Sequence, residues 1–215
     1  MSEEKSSKAE KFIEYFTAIL LGLTTTFGAL AAYYNSKWSG SSNENFVKST
    51  ISTSEASAGL LTSLNLSIIH RMDAITDDIY YTEWKRNYRE KDPDTSYFFS
   101  MMSPERQTDL VKGTPDLAET EVYKKQKADG DSVQLMLASC DSMFKVSENQ
   151  MKVAQTEGGT GDDFTLITVL YTIVLFFAGF SSLKISGRLK LIYIVCAVLV
   201  FGVTTFMFFQ LPFPK

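Results

Sequence analysis

The chain has 215 residues, of which 45% are hydrophobic, and it carries 25 acidic and 21 basic side chains. Its formal net charge of −4 argues against a nucleic-acid partner, because such proteins need clustered Lys and Arg. The chain has two cysteines, which lie in different environments, so we predict no disulfide framework. Its one histidine has no Cys or His partners nearby, so we predict no metal site and no cofactor.

The first predicted element is a membrane-spanning helix at residues 15–34, preceded by a leader at residues 1–14. The run is uncharged and has roughly the 20 residues needed to cross a hydrocarbon core. The alternative is a secretory signal peptide, since Ala29-Leu-Ala31 resembles a cleavage site. An uncleaved span is favoured because the apolar region exceeds the ~7–15 residues usual in signal peptides.

This span has a face of small residues at helical spacing. Small residues allow close helix approach in lipid, so we predict helix packing there, against the chain's other spans or another chain. The alternative is that Gly and Ala are simply common in spans. The hydroxyls of Thr24–Thr26 are expected to bond to the preceding helical turn. The small face comprises Ala18, Gly22, Thr25, Ala29 and Ala32.

The middle of the chain, residues 35–163, is predicted to be an extramembrane helical hairpin. Residues 34–163 hold 21 acidic and 14 basic side chains, a net charge of −7 that is typical of a solvated helical surface. Two apolar seams at 3.5-residue spacing favour a coiled-coil-like packing of two long helices. The first seam is Ala58, Leu61, Asn65, Ile68, Met72, Ile75, Ile79 and Thr82. The second is Val133, Leu137, Cys140, Phe144, Ser147, Met151 and Ala154.

Several local signals divide this hairpin. Asn65 either fixes register within the seam or faces solvent. Glycine and serine at residues 39–42 and 158–161 predict flexible breaks between spans and hairpin, and Asp162-Asp163 is expected to begin the second span. Ser103-Pro104 predicts a short capped helix at the irregular tip.

An aromatic and methionine cluster lies at that predicted tip. Exposed side chains of this kind are typical of a partner-binding patch, whereas buried ones would cap the core of the hairpin itself. Both interpretations stay open from the sequence. The cluster is Tyr97, Phe98, Phe99, Met101 and Met102.

The chain closes with two further predicted spans, at residues 164–183 and 191–212, before a short tail at 213–215. The link at 184–190 carries three basic residues. By the positive-inside rule this predicts a multi-pass cell-membrane protein whose N-terminus and link are cytoplasmic and whose residues 35–163 are extracytoplasmic. The predicted fold is therefore an all-α membrane protein with three transmembrane helices and an extramembrane hairpin.

This layout resembles a group of uncharacterised small prokaryotic membrane proteins with one N-terminal span, a helical middle region and a C-terminal two-span hairpin. The resemblance covers mainly the last fifty residues and implies architecture alone, since the group has no established activity. The residues that carry it are 163–164, 175–180, 188–190 and 211–212.

No catalytic or nucleotide-binding motif is recognisable in the sequence. The best polar cluster, around His70, Asp73 and Asp77, is more typical of a surface ion pair than of a catalytic site. The spans lack the buried charges of driven transporters. We predict a non-enzymatic interaction or accessory subunit that associates with itself or another membrane protein. The first alternative is an oligomeric pore or membrane-perturbing effector, with Thr24–Thr26 or Thr204-Thr205 lining a passage. The second is a ligand-responsive membrane sensor.

Overall fold

A computed structural model of the chain describes residues 8–113, 120–183 and 186–213, and every element in those ranges is an α-helix. The predicted all-α class is confirmed. Residues 1–7 of the predicted leader, 114–119 of the predicted hairpin, 184–185 of the link and the last two tail residues lie outside the described residues. The helices are α1 (Lys8–Glu90), α2 (Thr95–Met101), α3 (Pro104–Lys112), α4 (Glu121–Ser181) and α5 (Gly187–Gln210).

Three helices, α1, α4 and α5, each contain a stretch long and apolar enough to cross a membrane. Even the shortest, α5, has 24 residues and so extends about 36 Å at about 1.5 Å per residue. A hydrocarbon core is about 30 Å thick. By length and composition the three predicted spans are therefore present as helices.

The contacts within the chain divide it into two compact units. The three-helix unit comprises Met1–Lys48 and Asn149–Lys215, and the hairpin unit comprises Ser49–Glu148. Both α1 and α4 contribute residues to each unit. Because α4 continues through Asp162 and Asp163, these two residues lie inside a helix, and the prediction that they begin the second span as caps is wrong.

An aromatic core holds the three-helix unit together. Phe208 of α5 is 1% exposed, and its ring centroid lies 5.9 Å from that of Phe164 and 6.0 Å from that of Tyr34. Trp38 Nε1 donates a hydrogen bond to the carbonyl of Pro212 at 3.2 Å, which ties α1 to the segment after α5. Interlocking side chains of this kind supply the van der Waals contact that holds helices together in lipid.

The predicted flexible breaks are wrong, because both segments are helical and pack against each other within the three-helix unit. A Cβ on Gly161 would lie 3.0 Å from Ser39 Oγ, and one on Gly158 would lie 3.1 Å from Ser42 Oγ. Ser42 Oγ also donates to the carbonyl of Ala154 at 2.7 Å. Glycine therefore serves here for close helix approach and not for flexibility.

The packing face of α1 in this unit differs from the predicted small-residue face. Ala18, Gly22, Thr25 and Ala29 are all exposed, and nothing lies within 4 Å of the position of a Gly22 Cβ. For packing within the chain the prediction is wrong, and packing of this face against another chain stays a prediction. Within the three-helix unit, the buried residues of α1 are Thr17, Leu20, Thr24 and Ala31.

The threonine run behaves as expected. Thr24 Oγ1 donates to the carbonyl of Leu20 at 2.6 Å, and Thr25 and Thr26 make the equivalent bonds, at 2.8 and 2.9 Å, to the residues four positions earlier. Such bonds satisfy hydroxyl donors within the helix itself. The prediction that these hydroxyls bond to the preceding turn is confirmed.

Candidate interaction surface

Small and polar side chains form the contact face between α1 and α4 in the hairpin unit. Ser49 Oγ donates to the carbonyl of Ser147 at 2.9 Å, and Ser147 Oγ donates to the carbonyl of Ser49 at 2.8 Å. Thr53 Oγ1 lies 2.6 Å from Ser147 Oγ. Ala56 and Ser63 are fully buried on the same face. These short side chains bring the two backbones close and satisfy each other's hydrogen bonds.

Gly59 is the tightest point of this contact face. A Cβ at this position would lie 2.7 Å from the Sγ of the buried Cys140. Even the smallest substitution therefore forces Cys140 or a helix to shift. Gly130, by contrast, has nothing within 4 Å of its Cβ position, although it also lies inside α4.

We expect Gly59→Ala to destabilise the hairpin unit by about 1–2 kcal/mol, because overpacking a closed contact displaces side chains or backbone. Hydrogen exchange of the hairpin amides in the full-length protein measures the change. Gly130→Ala, the control, should instead stabilise by about 0.5–1 kcal/mol. Adding Cys140→Ala should rescue Gly59→Ala. Without that rescue, the assignment of the clash to Cys140 would be incorrect.

The predicted seam on α1 lies outside the helix contact. Leu61, Ile68, Met72 and Ile75 are 55–65% exposed, and Asn65 is exposed as well. A residue two positions along a helix lies about 200° further round its axis. Residues two positions from the buried Ser63 therefore face away from α4. The predicted packing of these five residues within the chain is wrong.

On α4 the predicted seam lies closer to the contact. Cys140 is buried opposite Gly59, and Met151, at the start of the α4 segment in the three-helix unit, is partly buried. Leu137 and Phe144 lie at the edge of the contact face, 36% and 37% exposed. The 3.5-residue spacing thus indicates two long packed helices but does not select which face of α1 makes the contact.

The face of α1 turned away from α4 carries a stripe of large apolar side chains, here called the outward stripe. Each member is at least 51% exposed. Exposed apolar side chains grouped on one face of a helix are typical of an interaction site. The outward stripe comprises Ile51, Leu61, Leu64, Ile68, Met72, Ile75 and Ile79.

The exposed side of α4 in the same unit is of mixed character. Leu135 and Val146 are exposed there, but Ser139, Ser142 and Lys145 separate them. Lys145 pairs with Asp141 at 2.5 Å, which raises the pKa of Lys145 through that hydrogen bond and charge. On this side of α4 polar residues therefore interrupt the apolar ones, and the exposed apolar side chains are larger and more numerous on the outward stripe of α1.

An ion-pair network at the tip attaches α3 to α1. Asp77 is nearly buried, accepting from the backbone N–H of Ser103 at 2.6 Å and from Arg106 Nε at 2.8 Å. Arg106 also pairs with Asp78, and its guanidinium lies 5.0 Å from the ring centre of Tyr81. Burial opposes the charge on Arg106, but the two carboxylates outweigh it and raise the Arg106 pKa.

The predicted short helix at the tip is confirmed as α3. Ser103 is its N-cap, accepting from the backbone N–H of Arg106 at 3.2 Å, and Pro104 occupies the first helical position. The helix ends at Gly113, whose φ of 63° is the left-handed conformation that glycine adopts without strain.

The N-terminus of α4 is capped locally by Thr120, whose Oγ1 accepts from the backbone N–H of Tyr123 at 3.3 Å, and also by a distant residue that the sequence does not reveal. Asp109 of α3 accepts from the backbone N–H groups of Glu121 at 2.7 Å and Val122 at 3.1 Å. A carboxylate at a helix N-terminus satisfies exposed amides and suits the helix dipole. Because Asp109 lies twelve residues before Glu121 in the chain, no local capping pattern could have predicted its part in the cap.

The structure divides the predicted aromatic patch at the tip. Met102 is 3% exposed, and Phe99 lies 6.5 Å from Trp84 between ring centroids. Tyr97 and Met101 are exposed, with Phe98 packed edge-on against Tyr97 at 5.3 Å. The inner residues therefore pack on the hairpin, and a partner-binding role for the outer ones stays a prediction.

A cavity of about 250 Å³ lies beside this network and includes the polar cluster that the sequence predicts. His70, Asp73 and Asp77 line it, together with Glu105, which pairs with Lys125 at 3.2 Å. Asp77 is already engaged by Arg106. Among the described residues no group of three or more His, Cys, Asp or Glu side chains is arranged to hold a metal ion. The polar groups here stabilise the tip.

Comparison of the chain with protein-family models, curated proteins and solved structures finds no match. The predicted resemblance to small prokaryotic membrane proteins therefore stays a prediction.

Proposed function

We propose that the protein is a non-enzymatic integral membrane subunit that is anchored by three spans and presents its helical hairpin to a protein partner. The outward stripe is the observation that carries this proposal. Large apolar side chains that face away from their own hairpin gain stability when another protein covers them. We infer an accessory role because an apolar helix face can pack against a helix of a partner, whereas it offers no side chains for catalysis.

Membrane anchoring is supported by the composition of the three-helix unit. On α5, Leu199, Phe206 and Phe209 are more than 60% exposed, and such side chains suit contact with lipid. The basic residues of the leader and link favour a cytoplasmic location for those segments, which would place the hairpin outside the cell. Neither the pore nor the sensor hypothesis has a specific observation in its favour among the described residues.

Ile68→Lys combined with Ile75→Lys is expected to weaken assembly with the partner about 100-fold or more. Each isoleucine contributes about 1.5–3 kcal/mol when buried, and charges in its place oppose burial further. Native gel electrophoresis of membranes solubilised in mild detergent measures the assembled fraction.

The matched control is Leu135→Lys, which places one charge at an exposed apolar position of α4. We expect this variant to assemble as the wild type does. Equal assembly of all variants would argue against the outward stripe as the contact surface, provided that helicity by circular dichroism is unchanged in each.

A further inference from the structure

We infer that the partner covering the outward stripe is the outward stripe of a second copy of this chain, with the α1 helices parallel and in register. This inference rests on the proposed function, because it names the partner of the same surface. Its support comes from the spacing of the stripe, from one polar residue within it and from the position of α4.

The spacing of the stripe matches a helix as partner. The helix positions that run along the stripe from Ala58 to Thr82 alternate three and four residues apart over three heptads, as coiled-coil seams do, and five of them hold stripe residues. Leu64 flanks the seam and widens the apolar surface. One position of the repeat holds Ala58, Asn65, Met72 and Ile79, and the other holds Leu61, Ile68, Ile75 and Thr82.

Asn65 favours a second copy over an unrelated apolar helix. Its amide has both donor and acceptor groups, so two Asn65 side chains can bond to each other across a symmetric seam. Against a wholly apolar partner the same amide would be buried without hydrogen bonds, which is costly. A single Asn at such a seam position is known to fix register.

The membrane supports the parallel arrangement. Copies of one membrane protein insert with the same orientation, so neighbouring α1 helices run in the same direction. In that register Asp78 of one copy would approach Glu83 of the other, which alone would be repulsive. Both are already compensated within their own chain, Asp78 by Arg106 and Glu83 by Arg86 at 2.5 Å.

The position of α4 leaves the stripe accessible. In the hairpin unit α4 contacts α1 through the face of Ala56, Gly59 and Ser63, opposite the seam. Two or more α1 helices can therefore pack centrally while each α4 stays on the outside. A second copy can therefore reach the whole seam without any rearrangement of the hairpin.

Cysteine cross-linking in native membranes tests this inference. The full-length chain carries Cys140→Ala and Cys196→Ala, and receives either Ile68→Cys at the seam or Ser139→Cys on the exposed side of α4. Copper phenanthroline oxidises facing thiols to a disulfide. We expect most of the Ile68→Cys chain to run at twice its 24.1 kDa mass on a non-reducing gel, and little of the Ser139→Cys chain to do so.

Three results would overturn the inference, and they separate it from the proposed function. Equal cross-linking at both positions would show random collision. Cross-linking of Ile68→Cys to a different polypeptide would reject self-association while leaving the proposed function in place. An uncross-linked Ile68→Cys chain would also reject self-association, because both copies would bring a thiol to the seam, whereas the proposed function is then tested by the assembly of the Ile68→Lys/Ile75→Lys variant. Ile75→Cys, one heptad further along the seam, repeats the test if Ile68→Cys is poorly produced.

Discussion

Phe208→Ala is expected to lower the free energy of unfolding of the three-helix unit by about 3–5 kcal/mol. The ring is 1% exposed and lies 5.8 Å from that of Phe27 and 5.9 Å from that of Phe164. Truncation leaves a cavity among rings on all three helices of the unit. In the membrane location that we propose for this unit, the loss would be mainly one of packing, because lipid tails remove the hydrophobic drive between helices. Unfolding in mild detergent titrated with sodium dodecyl sulfate, followed by helicity, measures the change.

Phe206→Ala is the matched control for this experiment. Phe206 is on the same helix, two residues away, and is 66% exposed. Because this ring faces away from the other helices, its removal should cost less than about 1 kcal/mol. Equal losses for the two variants would mean that α5 does not pack through the face that includes Phe208.

Asp77→Ala should destabilise the tip of the hairpin by about 2–4 kcal/mol. The change removes the acceptor of the Ser103 N–H and of Arg106 Nε, and leaves both donors partly buried. The amides of α3 should then exchange with solvent at least tenfold faster. Hydrogen exchange of the full-length protein in mild detergent measures this, with the amides of α5 as an internal reference.

Asp78→Ala separates the buried carboxylate from its exposed neighbour. Both residues pair with Arg106, but the side chain of Asp78 is 66% exposed and that of Asp77 is 9% exposed. Exposed ion pairs contribute only about 0–1 kcal/mol, so we expect little change in exchange. If Asp78→Ala loosened α3 as much as Asp77→Ala, the burial of Asp77 would not be the cause.

The sequence predicts where the helices of this molecule lie better than it predicts which face of each helix makes a contact. Uncharged runs of about 20 residues indicate three candidate spans, and the pattern at Ser103-Pro104 predicts α3, because both signals are local. The face of α1 that meets α4 is a tertiary property. On α1 the 3.5-residue period occurs twice, once as large apolar residues and once as Gly, Ala and Ser. A prediction that takes the large apolar residues as the contact with α4 is wrong for this chain, because the Gly, Ala and Ser residues make that contact.

The glycine segments illustrate the same limit. Gly158 and Gly161 are typical of a loop when each is considered alone. Their role depends on Ser39 and Ser42, more than a hundred residues earlier, which occupy the space that a Cβ would fill. Only the pairing of α1 with α4 distinguishes a flexible junction from a close helix contact. Likewise, the Asp77–Arg106 pair requires α3 to fold back onto α1.

The native mass of the complex solubilised from membranes in mild detergent tests the central claim most directly. A partner on the outward stripe predicts a mass well above that of one 24.1 kDa chain, and self-association predicts a whole multiple of it. The Ile68→Lys/Ile75→Lys variant should reduce that mass to a single chain. A wild-type protein that runs as a monomer without any bound polypeptide would contradict the proposal that the hairpin is an interaction surface.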